Sequence, residues 1–357
     1  PWQNYTELFY PLDINLTMIN KFNDHFILID KCAEQTRIVE ILNHKIVKFI
    51  AWFDANPPLI GSLYDAVIIK KLNGGVVRAK LKDKRILSVR GVPKSLNVNN
   101  KIKIIITSEE FEDKPIQARI LLANSKKYED LDNVQRIMDL FFTKNIPIIE
   151  DMYAIYWDIL DLDKELIGAL QPKIELSEGG RIWIEKTRAA TLIDIDTHKL
   201  LLNSEEEILD FCNRAFVRCI QEIKLRNIGG MIVIDFPRMS QNRKKNLHEN
   251  ITKIGKQYFF EGNFLGFSRL VLYEMYIPRN LPSLESFYVD SNAYSLQNHL
   301  RSLWRKSKEL KSKKNVQFLC GTNLFKNLKT RKVPSFINIV KRSDLPEDYG
   351  ELMETNI

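Results

Sequence analysis

The strongest constraint on what this chain can fold into is a run of strand, long helix and strand in which both strands end in aspartate. ATLIDID (190–196) alternates, so Asp194 and Asp196 share one face and Ile193 and Ile195 the other. Glu205 to Arg226 is the clearest helix, with Ile208, Cys212, Ala215, Cys219 and Ile223 on one stripe and Glu205, Glu206 and Glu207 in its first turn. Ser204 stands at the N-cap position and Gly229-Gly230 ends the helix. MIVIDF (231–236) then reads as a buried strand closing in Asp235. This spacing predicts an α/β crossover.

Apolar strands carry few acids by accident, because a carboxylate inside a core is expensive unless paired. If the two strands are neighbours, Asp194 and Asp235 converge, and a hard cation resolves their repulsion. Mg²⁺, with Mn²⁺ as a substitute, suits such a site: it accepts one or two carboxylates, keeps several waters and takes phosphate oxygens as ligands. The same residues also read as strand-end aspartates that cap nearby amides.

Charge is unevenly placed. Residues 61–105 hold eleven Lys or Arg against Asp65 and Asp83, a net of +9; residues 301–332 hold eleven against Glu309, a net of +10. The whole chain carries +8, so the rest sums to −11, and two basic segments on an acidic background predict a polyanion surface. The first basic segment is also a run of short strands, YDAVIIKKL, GGVVRAKL, KRILSVR and KIKIIIT, separated by Gly74-Gly75, Asp83, Pro93 and Asn99-Asn100. That pattern suits a small barrel of the oligonucleotide-binding type, with Lys80, Lys82 and Lys84 as RNA contacts. Arg238, Lys245 and Arg269 are further candidates for phosphate contact.

Other classes are disfavoured. The hydrophobic fraction of 45% and charged fraction of 27% are those of a folding chain. No apolar run approaches the ~20 residues of a spanning helix, and the opening PWQNYTELFY reads as neither a basic nor an apolar leader. Cys32, Cys212, Cys219 and Cys320 are far apart, which argues against a disulfide scaffold or a cysteine zinc site and for a reducing, cytoplasmic setting. The histidines form no constellation; His198 reads as an exposed loop residue within reach of a substrate. Neither glycine pair is followed by GK[ST], so neither is a phosphate-binding loop. Elsewhere, FILID (26–30) and TRIVEILNHKIVKFI (36–50) read as strands around a turn at Asn43. Residues 127–170 read as helices with Trp157 in the core. RLVLYEMYI (269–277) reads as a strand, residues 295–314 as a basic helix, and VQFLCG and SFINIV as short strands.

ELSEGGRIWIEKTRAATLIDID, IKLRNIGGMIVIDF and GFSRLVLYEM, in that order, resemble the catalytic core of the ribonuclease E/G family. The resemblance implies a metal pair on Asp194 and Asp235. It implies catalytic roles for Asp194, Asp235 and Asp196, the last standing where the family has an asparagine two residues on; the helix-end pair falls on Leu225-Arg226, and the later strand on Ser268, Arg269 and Glu274. It implies an α+β fold of RNase H-like and DNase I-like subdomains with an inserted OB-type barrel. The expected boundaries are an arm (1–25), the first RNase H-like part (26–60), the barrel (61–120), the helical remainder (121–170), a DNase I-like catalytic part (171–345) and a tail (346–357). The family's 5′ sensor and zinc-link cysteines have no counterpart, so no structural zinc is expected, and the assembly is a monomer or a non-zinc dimer. The implied activity is endoribonucleolytic hydrolysis of single-stranded RNA in RNA processing, leaving 5′-phosphate and 3′-hydroxyl ends. The alternative is an RNA-binding protein of this fold with reduced or absent catalysis.

Overall fold

The computed structural model describes residues 24–32, 34–54, 57–110, 115–121, 131–151, 155–259, 261–288, 296, 299–304, 316–331 and 333–354. Most of the expected arm (1–25) and residues 305–314 of the expected basic helix lie outside them.

Three strands open the chain, β1 (His25–Cys32), β2 (Gln35–Leu42) and β3 (Lys45–Phe53), paired antiparallel. The turn between β2 and β3 is the one expected at Asn43; it places both Asn43 and His44 at positive φ, the conformation that a tight hairpin demands. A fourth strand, β9 (Ile148–Asp151), joins this sheet parallel to β1. The sequence reading missed it, because IIED is too short to show a period and sits inside a stretch that reads as helix. That stretch resolves into α1 (Asn133–Phe141), α2 (Ile155–Ile159) and α3 (Leu162–Gly168). Asp161, at a positive φ of 49°, separates the last two, breaking what reads as one continuous helix.

Between β3 and α1 lies a closed barrel of β4 (Leu63–Lys71), β5 (Val77–Lys80), β6 (Ile86–Arg90), β7 (Lys101–Ser108) and β8 (Gln117–Ile120), ordered β4-β5-β6-β8-β7. β7 returns to β4, and β6 pairs with β8 in parallel. This closure is consistent with an OB-like barrel. β8, at four residues, is the strand that the pattern did not show. The alternating apolar residues, among them Ile68, Leu87, Val89 and Ile104, form the barrel's own core and leave the lysines outside.

The six-stranded sheet has the order β10-β11-β12-β13-β15-β14. Its members are β10 (Lys173–Glu175), β11 (Arg181–Lys186), β12 (Ala190–Asp196), β13 (Gly230–Asp235), β14 (Asn263–Phe267) and β15 (Tyr273–Ile277). The expected single strand at 269–277 is corrected: residues 268–272 form a turn closed by Ser268 N–H to Leu272 O at 2.8 Å, and only Tyr273–Ile277 is extended. α4 (Glu205–Leu225) and α5 (Gln241–Tyr258) cover one face of this sheet. α4 is the expected crossover helix; the Ser204 hydroxyl accepts from Glu207 N–H at 3.2 Å, and the cysteine-bearing stripe is buried. Gly180 is required at the entry to β11, since its φ is +82° and a Cβ there would lie 2.6 Å from the Phe211 ring.

From α6 (Leu284–Tyr288) onward the chain returns to the first sheet. The helical residues 299–304, β16 (Val316–Cys320), α7 (Thr322–Leu328), β17 (Ile337–Lys341) and β18 (Gly350–Glu354) follow. Leu300, Phe318, Cys320 and Leu324 share a core with Phe26, Leu28, Val39 and Trp157. The second sheet's core is built from residues 174–277, and residues from Leu284 onward share the core of the N-terminal strands. The expected tail at 346–357 contributes β18, antiparallel to β16. No helix among the described residues is long and apolar enough to cross a membrane.

Candidate active site

β12 and β13 are parallel neighbours, and their register sets Asp194 directly opposite Asp235. Ile193, Ile195, Ile232 and Ile234 point into the helix-covered core, so strand alternation turns both aspartates to the opposite, open face. Both side chains are exposed. Among the described residues neither accepts a side-chain hydrogen bond nor forms an ion pair. The Asp194 carboxyl is held above its usual range by partial burial, then by the negative charges of Asp235 and Asp196.

Asp196 behaves differently although it shares the strand. Its Oδ1 accepts from His198 N–H at 2.7 Å, and its Oδ2 lies 3.1 Å from Arg181 Nε. Arg181 is its register partner on β11, and Arg181 Nη2 also meets His198 Nδ1. Both Asp196 oxygens thus have partners of their own. The sequence reading did not single out Arg181. The two-residue turn between Thr187 and Ala190 was the signal that could have revealed it, because a tight hairpin fixes every later pair, Arg181 with Asp196 included.

The pair suits a hard cation. Two unpaired carboxylates on one exposed strand-end row give oxygen ligands and leave the other positions to water or phosphate, as Mg²⁺ prefers. No group of three or more His, Cys, Asp or Glu suited to a metal occurs among the described residues.

The remaining candidates are scattered. Lys80 ends β5, and Lys82 and Lys84 lie in the β5–β6 turn; all three are exposed and form one basic corner of the barrel. Tyr64 is the single aromatic side chain of the barrel among the described residues, and Arg85 lies over its ring. Arg238 is exposed in the loop three residues beyond Asp235. Lys245 is exposed on α5, in the layer covering the far face of the sheet, and Arg269 is exposed in the turn between β14 and β15. The structure does not bring these two to the aspartates through any contact.

The barrel is tied to the same sheet. Ser108 Oγ donates to the Arg279 carbonyl at 2.6 Å, and Arg279 Nε donates to the Gly229 carbonyl at 2.7 Å. Gly230 is required there, because a Cβ would meet the Arg279 guanidinium at 2.5 Å. That anchor is at the start of β13, whereas Asp235 ends it; five strand steps separate them by roughly 17 Å.

Residues 82–280 match the profile of the Ribonuclease E/G family, more than half of the chain. The chain belongs to the ribonuclease E/G family. It is 33% identical over 133 residues to Ribonuclease G of Escherichia coli (strain K12), a stretch covering 36% of this chain and 27% of that protein. It is 36% identical over 153 residues to the chloroplastic Ribonuclease E/G-like protein of Arabidopsis thaliana, covering 42% of this chain and 15% of that one. Ribonuclease E of Synechocystis sp. is 42% identical over 79 residues, or 21% and 11% of the two chains. The match thus spans well under two thirds of these relatives' lengths. Within the family's helix-end motif, Arg226 is buried: its Nε donates to Glu222 Oε2 at 2.8 Å and its carbonyl accepts Leu284 N–H at 2.9 Å. In this member of the ribonuclease E/G family the motif joins α4 to the returning chain.

Proposed function

We infer that this chain is a metal-dependent endoribonuclease that hydrolyses phosphodiester bonds in single-stranded RNA, leaving 5′-phosphate and 3′-hydroxyl ends. The observation that carries this reading is the Asp194–Asp235 pair: opposed, unpaired and open to solvent at the ends of two parallel strands in a ribonuclease E/G family chain. Asp194 and Asp235 hold Mg²⁺ or Mn²⁺, and no structural zinc is involved. When bound, the ion supplies Lewis-acid stabilisation of phosphate charge and an activated water. Arg181 and the His198 amide engage the two Asp196 oxygens. The barrel holds the RNA backbone through Lys80, Lys82 and Lys84 by electrostatics, with Arg238 nearest the aspartates in sequence. In this reading the β3-β2-β1-β9 sheet is the RNase H-like part that the barrel interrupts, and the six-stranded sheet is the DNase I-like part. The protein works in the cytoplasm as a monomer or a non-zinc dimer.

The test is cleavage of an unstructured RNA with Mg²⁺ or Mn²⁺, with the end groups identified. Asp194→Asn and Asp235→Asn abolish most cleavage while RNA binding without metal persists. Charge reversal of Lys80, Lys82 and Lys84 to Glu weakens binding to many sequences alike and flattens the salt dependence. Equal trace rates for wild type and Asp194→Asn overturn the nuclease reading and leave RNA binding alone.

A further inference from the structure

We propose that Trp183 is a stacking platform for the nucleobase beside the phosphate held at Asp194 and Asp235. The proposal rests on the nuclease reading for the position of the phosphate, and on the register of the sheet for the rest. Trp183 is the register partner of Asp194 across β11 and β12, and Asp194 is the register partner of Asp235 across β12 and β13. Trp183, Asp194 and Asp235 therefore form one row over three adjacent strands. Ile182 and Ile184 point into the core, so the Trp183 indole lies on the open face with the aspartates, half-buried. Among the described residues it makes no ring–ring contact and its indole N–H donates to no partner.

Neighbouring strands are about 4.8 Å apart, and opposed Cβ atoms about 5 Å. A phosphate seated over the β12–β13 boundary thus has its adjoining sugar and base over β11, where the indole is. The same face continues away from the aspartates as Leu192, Met231 and Tyr276, exposed by 45%, 55% and 44%, toward the end of the sheet where the barrel is anchored. Glu185 and Glu274 flank this apolar track, which disfavours any anionic group on the track itself, phosphates included, and leaves it to uncharged rings. A single strand with its phosphates at the cation row and its bases on apolar side chains satisfies both features. Tyr64 is the barrel's one aromatic side chain among the described residues, and Arg85 lies over its ring. Base–aromatic stacking tolerates every base, because each has a π-face.

The experiment measures binding without turnover. A single-stranded RNA carrying 2-aminopurine at successive positions is titrated with wild type, Trp183→Ala, Trp183→Leu and Trp183→Phe, each in the Asp194→Asn background, and thermal stability is recorded for each. Cleavage is assayed separately in the unaltered background. One 2-aminopurine position should be quenched strongly by wild type and by Trp183→Phe. Trp183→Ala and Trp183→Leu should lose that quenching and bind roughly 5- to 150-fold more weakly. Trp183→Leu keeps apolar bulk, so its loss at unchanged thermal stability separates stacking from packing. An RNA abasic at the quenched position should bind wild type as weakly as intact RNA binds Trp183→Ala, and removing both should add nothing further. Unchanged affinity and quenching in well-folded Trp183→Ala overturn the proposal, as does a dimer that Trp183→Ala dissociates while RNA affinity stays constant. If quenching depends on Trp183 but wild type does not cleave, the platform stands and the nuclease reading fails.

Discussion

Among the described residues, two pairs of aspartates face each other across parallel neighbours, Asp30 with Asp151 on β1 and β9, and Asp194 with Asp235 on β12 and β13. The backbone arrangement is the same and the surroundings are opposite. Asp30 is fully buried and Asp151 nearly so. Arg37 Nε donates to Asp30 Oδ2 at 2.7 Å, its Nη1 reaches Asp163 at 3.2 Å, and its guanidinium lies 3.6 Å over the Trp157 ring. Trp157 N–H donates to Asp151 Oδ2 at 2.9 Å. The first pair's repulsion is resolved inside the protein by a guanidinium and backbone; the second pair faces solvent. The contrast separates a carboxylate pair whose countercharge the protein supplies from one with no ion-pair partner among the described residues.

The comparison breaks most visibly at Arg37. Arg37→Met keeps apolar length while stripping Asp30 of its cation, and removing one partner of a buried ion pair costs about 3–5 kcal/mol. The urea midpoint should fall accordingly, and Arg37→Met with Asp30→Leu should recover much of the loss. A midpoint unchanged by Arg37→Met would mean that Asp30 is neutral without Arg37's help. At the open pair the consequences invert. Asp194→Asn should lower cleavage by roughly a hundredfold or more, as loss of a preorganised electrostatic contact does, about 2.7–4 kcal/mol. It should leave the urea midpoint unchanged or slightly higher, because it removes repulsion with Asp235 and Asp196. A large stability loss there would show that Asp194 belongs with Asp30 as a structural residue.

How much of this contrast the sequence displays depends on element length. The β12–α4–β13 crossover is legible because α4 carries a long apolar stripe, a serine cap and three acids at its start, each pointing to the same element. Asp194 and Asp235 come with it, since they close strands whose adjacency follows from the crossover. The Asp30–Asp151 pair was invisible, because it requires β9, four residues whose extended state is imposed by pairing with β1. β8 and β10 are hidden for the same reason. The break at residues 268–272 was masked by apolar residues on both sides, and exposed Leu270 and Val271 carry no period that distinguishes a turn from a strand. Trp183 and Arg181 were readable in principle, yet only after the register of their hairpin is set.

A pH titration sharpens the buried side of the comparison. Burial is the main cause that raises Asp30 from 3.8 to about 6, against the opposing Arg37 guanidinium, with Asp151 adding to the rise and Arg301 opposing it. The folded carboxyl thus binds its proton more tightly than the unfolded one. Between about pH 4 and pH 6 the native state carries the extra proton, so this group's contribution to stability falls as pH rises through that window and levels off above it. The slope for one proton is at most about 1.4 kcal/mol per pH unit. The difference between wild type and Asp30→Asn in urea midpoint against pH should show that slope; a flat difference would mean that the carboxyl is ionised throughout.

The smallest effect lies at Asp196, which stands between the two regimes: on the open face, yet with its countercharge supplied by the protein. The Arg181 Nε–Asp196 Oδ2 approach is 3.1 Å with the N–H off the hydrogen-bond line, and the side chains are 21% and 44% exposed. Such a pair contributes ~0.2–1 kcal/mol to folding, so neither Arg181→Gln nor Asp196→Asn should move the urea midpoint much. Metal affinity is the sharper readout. Two strand steps put a charge at 196 about 7 Å from Asp194, where one unit charge and a divalent cation in a water-like dielectric interact by about 1 kcal/mol, or roughly fivefold in affinity. Arg181→Gln should therefore tighten Mn²⁺ binding about fivefold and Asp196→Asn should weaken it about as much, while the double variant returns to the wild-type value. Were Asp196 itself a ligand, Asp196→Asn would weaken binding far more and the double variant would remain weak. Mn²⁺ titration of the four proteins by calorimetry, with cleavage followed in parallel, tells a compensated neighbour from a third ligand.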